Sequence, residues 1–216
     1  MNLLNVVGLG PGDPELITMK GYKILLSADI IFYPKTSLKM AENILKFYNI
    51  DQKKLFPLNF NINDTESKID FKEYATIIKA KLDKGLDVVY AVEGEPMLYS
   101  TFLDLVPYID FSFKITPGIS SVNGGSAELK LKLATKNEPL LILPAVNNYD
   151  YMERMIALFD NVAIIKVKRA KSTLKKILSE HSYHYYIIGN VTGEKQEIYR
   201  DIDDVKDYMV ILFISH

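Results

Sequence analysis

The chain of 216 residues contains no cysteine. Disulfide bonds, thiolate catalysis and cysteine-ligated metal sites are therefore excluded, and a chain without cysteine fits the cytoplasm. The sequence also has no excess of one charge, because 26 basic and 27 acidic residues give a net charge of -1. Nucleic-acid-binding proteins usually carry a basic stripe. Here the lysines are spread along the chain, so we expect no nucleic-acid partner.

Long apolar runs are missing as well. Runs such as residues 139–146 fall far short of the roughly 20 residues that a membrane-spanning helix needs, so we expect no membrane partner. Residues 1–10 are apolar, but they lack the basic start and the cleavage site of a signal peptide. The length is sufficient for one large domain or two small ones with a sizeable core.

Short apolar runs alternate with segments of helical periodicity along the chain. In the first part they predict strands at residues 3–9, 28–33, 54–57, 86–92 and 111–116, and helices at residues 15–27, 40–48, 66–84, 98–106 and 119–131. In the remainder they predict strands at residues 140–144, 162–167, 184–189, 196–200 and 208–214, and helices at residues 149–159 and 172–181. Asp13 is expected to cap the first helix, Pro34 to end the second strand, and residues 59–65 to form a polar loop.

The order of these elements predicts the fold class. Strands that alternate with helices form a mostly parallel sheet covered by helices on both faces. The last three predicted strands have no helix between them, which indicates an antiparallel segment. We therefore predict two α/β domains, with a parallel-rich sheet in residues 1–117 and a mixed sheet in residues 118–216.

Three breaks rich in glycine and proline each follow a predicted strand of the first domain. They are residues 8–14 (loop 1), 93–97 (loop 2) and 116–121 (loop 3). In an open parallel sheet, ligands bind at the carboxyl ends of the strands, and glycine lets the backbone approach them closely. The three loops therefore predict one shared binding site. The alternative is that strand-to-helix turns need glycine and proline for the chain direction alone.

Loop 1 has the sequence GLGPGDP. It matches neither the dinucleotide-binding fingerprint nor the phosphate loop. Asp13, Glu93 and Glu95 would repel phosphates and favour a cationic or hydroxyl-bearing ligand. S-adenosylmethionine satisfies this condition with its sulfonium, amino group and ribose diol, but the charges alone do not single it out.

Three segments resemble, in order and spacing, those of the tetrapyrrole (corrin and porphyrin) methylase family: residues 7–18 (VGLGPGDPELIT), 94–99 (GEPMLY) and 116–121 (TPGISS). The resemblance implies two α/β domains with S-adenosylmethionine in the cleft between them, usually in a homodimer. Residues 33–35 (YPK) and 99–102 (YSTF) are similar to the precorrin-2 C(20)-methyltransferases of this family. The implied reaction is methylation of a reduced tetrapyrrole, precorrin-2 or cobalt-factor II, at C-20 in cobalamin biosynthesis.

The resemblance also implies which residues contact the cofactor. They are Leu9, Pro11, Glu93, Gly94, Glu95, Leu98, Ser100, Thr101, Ser120, Ser121, Pro144, Ala145, Val191 and Thr192. For Leu9 and Leu98 the structural alternative is a position in the core. For the hydroxyl residues near loops 2 and 3 it is helix capping; these are Ser100, Thr101, Ser120 and Ser121. Glu95 stands where the family usually has Asp, and we expect its extra methylene to tune the loop.

No catalytic residue is assigned. Methyl transfer from a sulfonium has a good leaving group, so the enzyme mainly aligns the reactants and excludes water. A base is needed only to remove a proton after the attack, and Glu93, Tyr99 and Asp104 are the candidates. Uroporphyrinogen-III methyltransferases often have Asp-Arg after the tyrosine of the second strand. Pro34 and Lys35 occupy that place here, so that acid–base role is not transferred.

A tetrapyrrole substrate carries many carboxylates, which basic side chains would bind. The candidates are Lys35, Lys39, Lys166, Lys168, Arg169 and Lys171; for the last four, a solvated turn before a helix is the alternative. His181 and His184 lack a third ligand, so we expect no metal site, and cobalt would arrive within the substrate.

Five other functions stay open from the sequence, and the first is that of another corrin-ring or uroporphyrinogen methyltransferase of the same family. Diphthine synthases and a branch that methylates ribosomal RNA belong to the same family. Segments 33–35 and 99–102 argue against both. Glu95 is the one feature that favours a non-catalytic ligand-binding protein, and the absent fingerprint disfavours a dinucleotide-dependent oxidoreductase.

Overall fold

A computed structural model of the chain describes residues 3–36, 39–60 and 70–215. The chain forms two compact units, Met1–Ser120 and Ser121–His216. This division falls within loop 3. The predicted domain boundary, after residue 117, also falls within loop 3, and its exact position stays a prediction. Each unit contains one five-stranded sheet.

Unit 1 is built on a parallel sheet with helices on both faces. Its strands are β1 (Leu4–Gly8), β2 (Ile30–Lys35), β3 (Leu55–Asn59), β4 (Val88–Val92) and β5 (Phe113–Thr116), in the order β3-β2-β4-β1-β5. All four strand pairs are parallel. Its helices are α1 (Met19–Ser27), α2 (Met40–Phe47), α3 (Phe71–Leu82) and α4 (Thr101–Leu105). The predicted parallel-rich sheet is confirmed.

The two faces of this sheet pack into separate cores. Tyr90 of β4 packs with the buried side of α3 and α4, whereas its neighbours Val89 and Ala91 pack with α1 and α2. Successive side chains of a strand point to opposite faces, and a parallel sheet covered on both faces buries all of them. All five residues of β4 are accordingly buried, which explains its uninterrupted apolar sequence.

The first helix differs from its predicted extent of residues 15–27. Asp13 caps a short 3₁₀ turn, Pro14–Leu16, by accepting a hydrogen bond of 2.8 Å from the Glu15 amide. α1 then begins only at Met19, because the Thr18 hydroxyl caps it through the Gly21 amide at 3.0 Å. Asp13 is a capping residue as predicted, but of the short turn. The predicted continuous helix is wrong because a second capping residue, Thr18, follows two positions beyond this turn.

The prediction that Pro34 ends the second strand is wrong. β2 extends to Lys35. Its pairing with β4 ends at Phe32, so the missing N–H of Pro34 removes no bond of that ladder. α3 begins after the capping residue Asp70 rather than at residue 66. Residues 61–69, with most of the predicted polar loop, lie outside the described residues.

Unit 2 contains the mixed sheet. Its strands are β6 (Leu140–Pro144), β7 (Asn161–Ile165), β8 (His184–Gly189), β9 (Glu197–Tyr199) and β10 (Val210–Ser215), in the order β6-β7-β10-β8-β9. β6 and β7 are parallel and the other pairs antiparallel, so the predicted antiparallel segment is confirmed. Its helices are α5 (Ser121–Glu128), α6 (Tyr149–Ala157) and α7 (Lys171–Glu180). Across the described parts of both units, every helix is too short or too polar to cross a membrane.

Candidate functional site

Loops 1, 2 and 3 meet at one edge of the parallel sheet. β1 lies between β4 and β5, so the loops that follow these three strands are neighbours. The Leu9 amide donates a hydrogen bond of 2.8 Å to the Val92 carbonyl, and the Gly94 amide donates one of 2.8 Å to the Gly10 carbonyl. The convergence that was predicted because each loop follows a strand of the parallel sheet is therefore observed.

Glycine is required where loop 3 touches the other two. A Cβ on Gly8 would lie 2.5 Å from the Gly118 nitrogen, and a Cβ on Gly118 would lie 2.2 Å from the Gly94 oxygen. Side-chain atoms do not approach other atoms this closely, so the three loops contact each other directly through their backbones. This packing distinguishes Gly8 and Gly118 from glycines that merely allow a turn.

Gly94 faces open space instead. Its φ is +68°, and a Cβ placed on it would have no other atom within 4 Å. The bare Cα of Gly94 therefore leaves room at the point where the three loops meet. With no side chain in this position, a ligand can approach the backbone of loop 2 closely here.

The carboxylate of Glu95 joins loop 2 to loop 3. Its Oε1 accepts a hydrogen bond of 3.0 Å from the Met97 amide, and its Oε2 accepts one of 2.9 Å from the Gly118 amide. Both oxygens thus bind backbone donors. Charge-assisted hydrogen bonds of this kind are stronger than those between neutral groups.

The carboxylate of Glu93 joins loop 2 to the start of α2 in a similar way. Its Oε1 accepts a hydrogen bond of 3.2 Å from the Ala41 amide in the first turn of that helix. Lys39, the residue at the N-cap position, provides no side-chain cap. Burial raises the pKa of the Glu93 carboxyl to about 6, and the Ala41 amide acts in the opposite direction.

These contacts correct the charge argument made from the sequence. The carboxylates of Glu93 and Glu95 bind backbone amides within unit 1. Both carboxylates therefore already have hydrogen-bond donors within the protein. The acidity of loop 2 consequently gives less support to a cationic ligand than the sequence indicated, whereas the bare Gly94 of this loop leaves its backbone open.

The residues just after loop 2 are also tied to the fold. Ser100 precedes α4 but makes no capping bond; its hydroxyl donates to the Pro96 carbonyl. The Thr101 Oγ1 lies 3.0 Å from the hydroxyl of the buried Tyr90. Helix capping, the alternative considered for both residues, does not describe them. Tyr99 has a left-handed backbone with φ of 52°, and its side chain is exposed.

The other predicted cofactor residues occupy two environments. In unit 1, Leu9 is completely buried in the core next to α1 and α2, so its side chain has the core position considered as the alternative. Pro11 and Ser120 are also buried. Leu98, half-buried, donates its amide to the Glu95 carbonyl.

In unit 2, Ser121 begins α5, and the remaining four residues lie at the ends of strands. Pro144 is the last residue of β6 and Ala145 follows it, and Val191 and Thr192 come after β8. Because β8 and β7 are both antiparallel to β10 and β6 is parallel to β7, these positions lie at the same edge of the mixed sheet. The two pairs of predicted cofactor residues in unit 2 are 47 positions apart in the sequence, and the fold brings them to one edge of this sheet.

The basic cluster of unit 2 has structural partners. Lys168 Nζ donates to the Lys206 carbonyl at 3.0 Å, and Arg169 donates to the Tyr208 hydroxyl at 3.1 Å. Lys171 Nζ binds the carbonyls of residues 203 and 205 at 2.8 and 3.0 Å. These three side chains hold the segment before β10, and Lys166 begins the short turn before α7. Lys35 and Lys39 of unit 1 are exposed.

His181 has structural neighbours in unit 2. His181 Nε2 lies 3.6 Å from Glu153 Oε1, and its ring stacks on Tyr183 at a centroid distance of 5.2 Å. Within residues 3–36, 39–60 and 70–215, no three His, Cys, Asp or Glu side chains are grouped to hold an ion. His216 lies outside these residues.

One polar group near the site carried no signal in the sequence. The Thr36 hydroxyl, just after β2, is buried and has no hydrogen-bond partner among the residues the structure describes. A serine or threonine after a strand is ordinary in a turn, and only its burial sets Thr36 apart. Asp104, one of the candidate bases, lies exposed on α4.

The sequence profile of the Tetrapyrrole (Corrin/Porphyrin) Methylases matches residues 3–204. The chain is similar to the cobalamin biosynthesis protein CobIJ of Mycobacterium tuberculosis, with 28% identity over 187 residues. That match covers 80% of the chain but 37% of the relative, so the chain spans little more than a third of that protein's length.

A second relative matches along nearly its whole length. The probable cobalt-precorrin-2 C(20)-methyltransferase of Methanocaldococcus jannaschii is 28% identical over 221 residues, covering 97% of the chain and 94% of the relative. Among solved structures, the cobalt precorrin-4 methyltransferase CbiF has a TM-score of 0.81 at 18% identity, with 98% of this chain and 94% of that chain covered. This likeness shows that the fold is shared.

The profile match confirms the resemblance inferred from the three loops. It includes loops 1, 2 and 3 and continues through most of unit 2. The shared fold supports it independently of the motifs. The chain belongs to the tetrapyrrole (corrin/porphyrin) methylases, a family of S-adenosylmethionine-dependent methyltransferases.

Proposed function

We propose that this protein transfers a methyl group from S-adenosylmethionine to C-20 of a reduced tetrapyrrole, precorrin-2 or its cobalt-containing form, in cobalamin biosynthesis. The observation that carries the proposal is the meeting of three backbone loops beside the open face of Gly94 in a member of this family. The choice of C-20 is supported by the resemblance of residues 33–35 and 99–102 and by the name of the Methanocaldococcus relative.

The loops provide a rigid backbone surface for the methyl donor. Gly94 supplies the open face, while Gly8 and Gly118 hold loops 1 and 3 against loop 2. S-adenosylmethionine, when bound, supplies a methyl group on a cationic sulfur that is ready to leave as a neutral thioether. The protein then needs to align this methyl group with a ring carbon and to exclude water, which is the main source of acceleration in such a displacement.

Few side chains of unit 1 are suited to proton transfer. Glu93 has a raised pKa of about 6, which is suited to a base near neutral pH, but its Oε1 is engaged with the Ala41 amide. We therefore assign it to holding α2 and do not assign a general base. The exposed Lys35, at the end of β2, and Lys39, just before α2, are the basic residues proposed to bind the carboxylates of the substrate.

We further propose that the protein acts as a cytoplasmic homodimer without nucleic-acid or membrane partners. The absence of cysteine and the balanced charge support this location and partner set, and family membership supports the dimer. Sedimentation velocity of the purified chain measures the oligomeric state directly. A monomer at micromolar concentration would contradict the dimer.

Turnover is the test of the proposed reaction. The purified chain is incubated with S-adenosylmethionine and precorrin-2, with and without cobalt, and the products are analysed by mass spectrometry. We expect the mass of one added methyl group. Binding of the cofactor without methylation of either substrate would contradict the C-20 assignment, and diphthamide precursors and other tetrapyrroles would then be assayed. Binding without turnover on any of them would favour a non-catalytic binding protein.

A further inference from the structure

We propose that Glu95 is a positioning residue for the methyl donor, and that its side-chain length, rather than its charge alone, holds loop 3 against loop 2. The inference rests on the proposed function, because the site that Glu95 shapes is that of the methyl donor. Its basis is specific to this chain, in which Glu stands where the family usually has Asp.

Gly118 is fixed from two sides. The Glu95 Oε2 accepts its amide hydrogen at 2.9 Å, and Gly8 packs so closely that its Cβ position would lie 2.7 Å from the Gly118 Cα. The other carboxylate oxygen binds the Met97 amide at 3.0 Å within loop 2. The two bonds of one side chain thus connect the shape of loop 2 with the position of loop 3.

Neither Asp nor Gln can make both bonds on this backbone. Asp is shorter by one carbon–carbon bond of about 1.5 Å. Its oxygens therefore reach the Met97 amide, two positions along as in an Asx turn, but fall short of the Gly118 amide. Gln keeps the length but has one acceptor oxygen, and its NH₂ group cannot accept a hydrogen bond. One of the two backbone amides then loses its partner.

The loss of this bond is expected to weaken cofactor binding rather than the chemical step. Without the Glu95 bond, loop 3 occupies its binding position for only part of the time, and the apparent Kd rises by the inverse of that fraction. For one charge-assisted hydrogen bond we expect a rise of about tenfold, which corresponds to about 1.4 kcal/mol. At saturating cofactor the loop is in place, so kcat stays within about twofold.

The experiment compares Glu95→Asp, Glu95→Gln and wild type, with Glu73→Gln as the matched control. Glu73 is exposed on α3, far along the sequence from all three loops. Hydrogen exchange of the Gly118 and Met97 amides is measured by NMR without cofactor, and the Kd of S-adenosylhomocysteine by calorimetry. Glu95→Asp should show faster exchange at Gly118, a Kd about tenfold higher and a raised KM for S-adenosylmethionine with kcat preserved. Glu95→Gln should show faster exchange at one of the two amides, the one that loses its acceptor.

Several results would overturn the proposal. Wild-type exchange and Kd in Glu95→Asp would show that the charge suffices. Faster exchange with unchanged Kd would show that the position of loop 3 does not matter for the cofactor. If wild type itself fails to bind S-adenosylhomocysteine, the proposed function fails, whereas the exchange measurement still tests the bond to Gly118 because it needs no ligand. Circular dichroism of each variant verifies folding, and Glu95→Asp provides the measurement if Glu95→Gln does not fold.

Discussion

Gly8 and Gly118 contact each other through their backbones: a Cβ added to Gly118 would lie 2.9 Å from the Gly8 Cα, and one added to Gly8 would lie 2.5 Å from the Gly118 nitrogen. The loops after β1 and β5 can approach this closely only without side chains. Since Gly94 lies against the same two residues through its carbonyl oxygen, the whole meeting point depends on these glycines.

Gly118→Ala is therefore expected to separate the loops. The nearest atoms belong to backbone, which cannot turn aside like a flexible side chain, so we expect a loss of about 3 kcal/mol in the free energy of unfolding and a weakened Kd for S-adenosylhomocysteine. Gly85→Ala is the control: its φ is +78° and its Cβ position is open, so only backbone strain of about 1 kcal/mol is expected. Equal losses in urea unfolding would contradict the packing argument.

Glu93 should make stability depend on pH between its unfolded and folded pKa values. Burial raises the pKa of Glu93 from 4.5 to about 6, so the folded protein holds this proton more tightly. Stability from this group is complete below pH 4.5 and is lost as the pH rises through 6, by about 2 kcal/mol in total.

Glu93→Gln tests this linkage. The amide oxygen still accepts from Ala41, but nothing titrates, so the variant should exceed wild type in stability above pH 6 and equal it below pH 4.5. Urea unfolding of both proteins from pH 4 to 8 gives the comparison. Parallel pH profiles would show that Glu93 titrates normally in the fold.

Tyr90 and Thr101 form a buried pair in which the two hydroxyls lie 3.0 Å apart. Thr101→Val leaves the Tyr90 hydroxyl buried without its partner, which costs about 1–3 kcal/mol. Tyr90→Phe with Thr101→Val removes both polar groups, so the double variant should be more stable than the sum of the single losses predicts. A double-mutant cycle by chemical denaturation measures this coupling, and additive losses would contradict the pair.

Lys171 and Lys35 should respond differently to replacement. Lys171→Met removes the bonds to the carbonyls of residues 203 and 205, so we expect a free energy of unfolding lower by about 1–2 kcal/mol and an unchanged KM for the tetrapyrrole. Lys35→Met should preserve stability and raise that KM by about threefold or more. The reverse pattern would place substrate recognition in the 166–171 cluster.

The sequence was sufficient for the architecture and for the meeting of the three loops at one edge of the sheet in unit 1. The apolar run of β4 and the glycine-rich breaks predicted a parallel sheet with three loops at one edge, because strand pattern and turn chemistry are local properties. The prediction for Pro34 was wrong because a proline ends a strand only where its missing N–H removes a hydrogen bond to a neighbouring strand. Which strand lies beside it depends on the strand order of the sheet, and that order cannot be read from the sequence.

The roles of the acidic residues could not be predicted. Glu93 and Glu95 stand two positions apart in loop 2, yet one carboxylate binds Ala41 and the other Gly118. Each partner is a backbone amide more than 20 positions away in the chain, and a backbone amide has no sequence signature. The acidic residues of the predicted site therefore suggested the chemistry of a ligand, whereas in the fold their carboxylates bind the protein's own backbone.

Methylation of a tetrapyrrole ring carbon is tested most directly with S-adenosylmethionine labelled with ¹³C in its methyl group. The enzyme is incubated with precorrin-2 and with its cobalt form, and the product is examined by NMR. We expect one labelled methyl group on C-20 of at least one of the two substrates, with none formed when the enzyme is omitted. Label on another ring carbon would contradict the C-20 assignment, and no label on any tetrapyrrole despite bound cofactor would contradict the proposed methyl transfer.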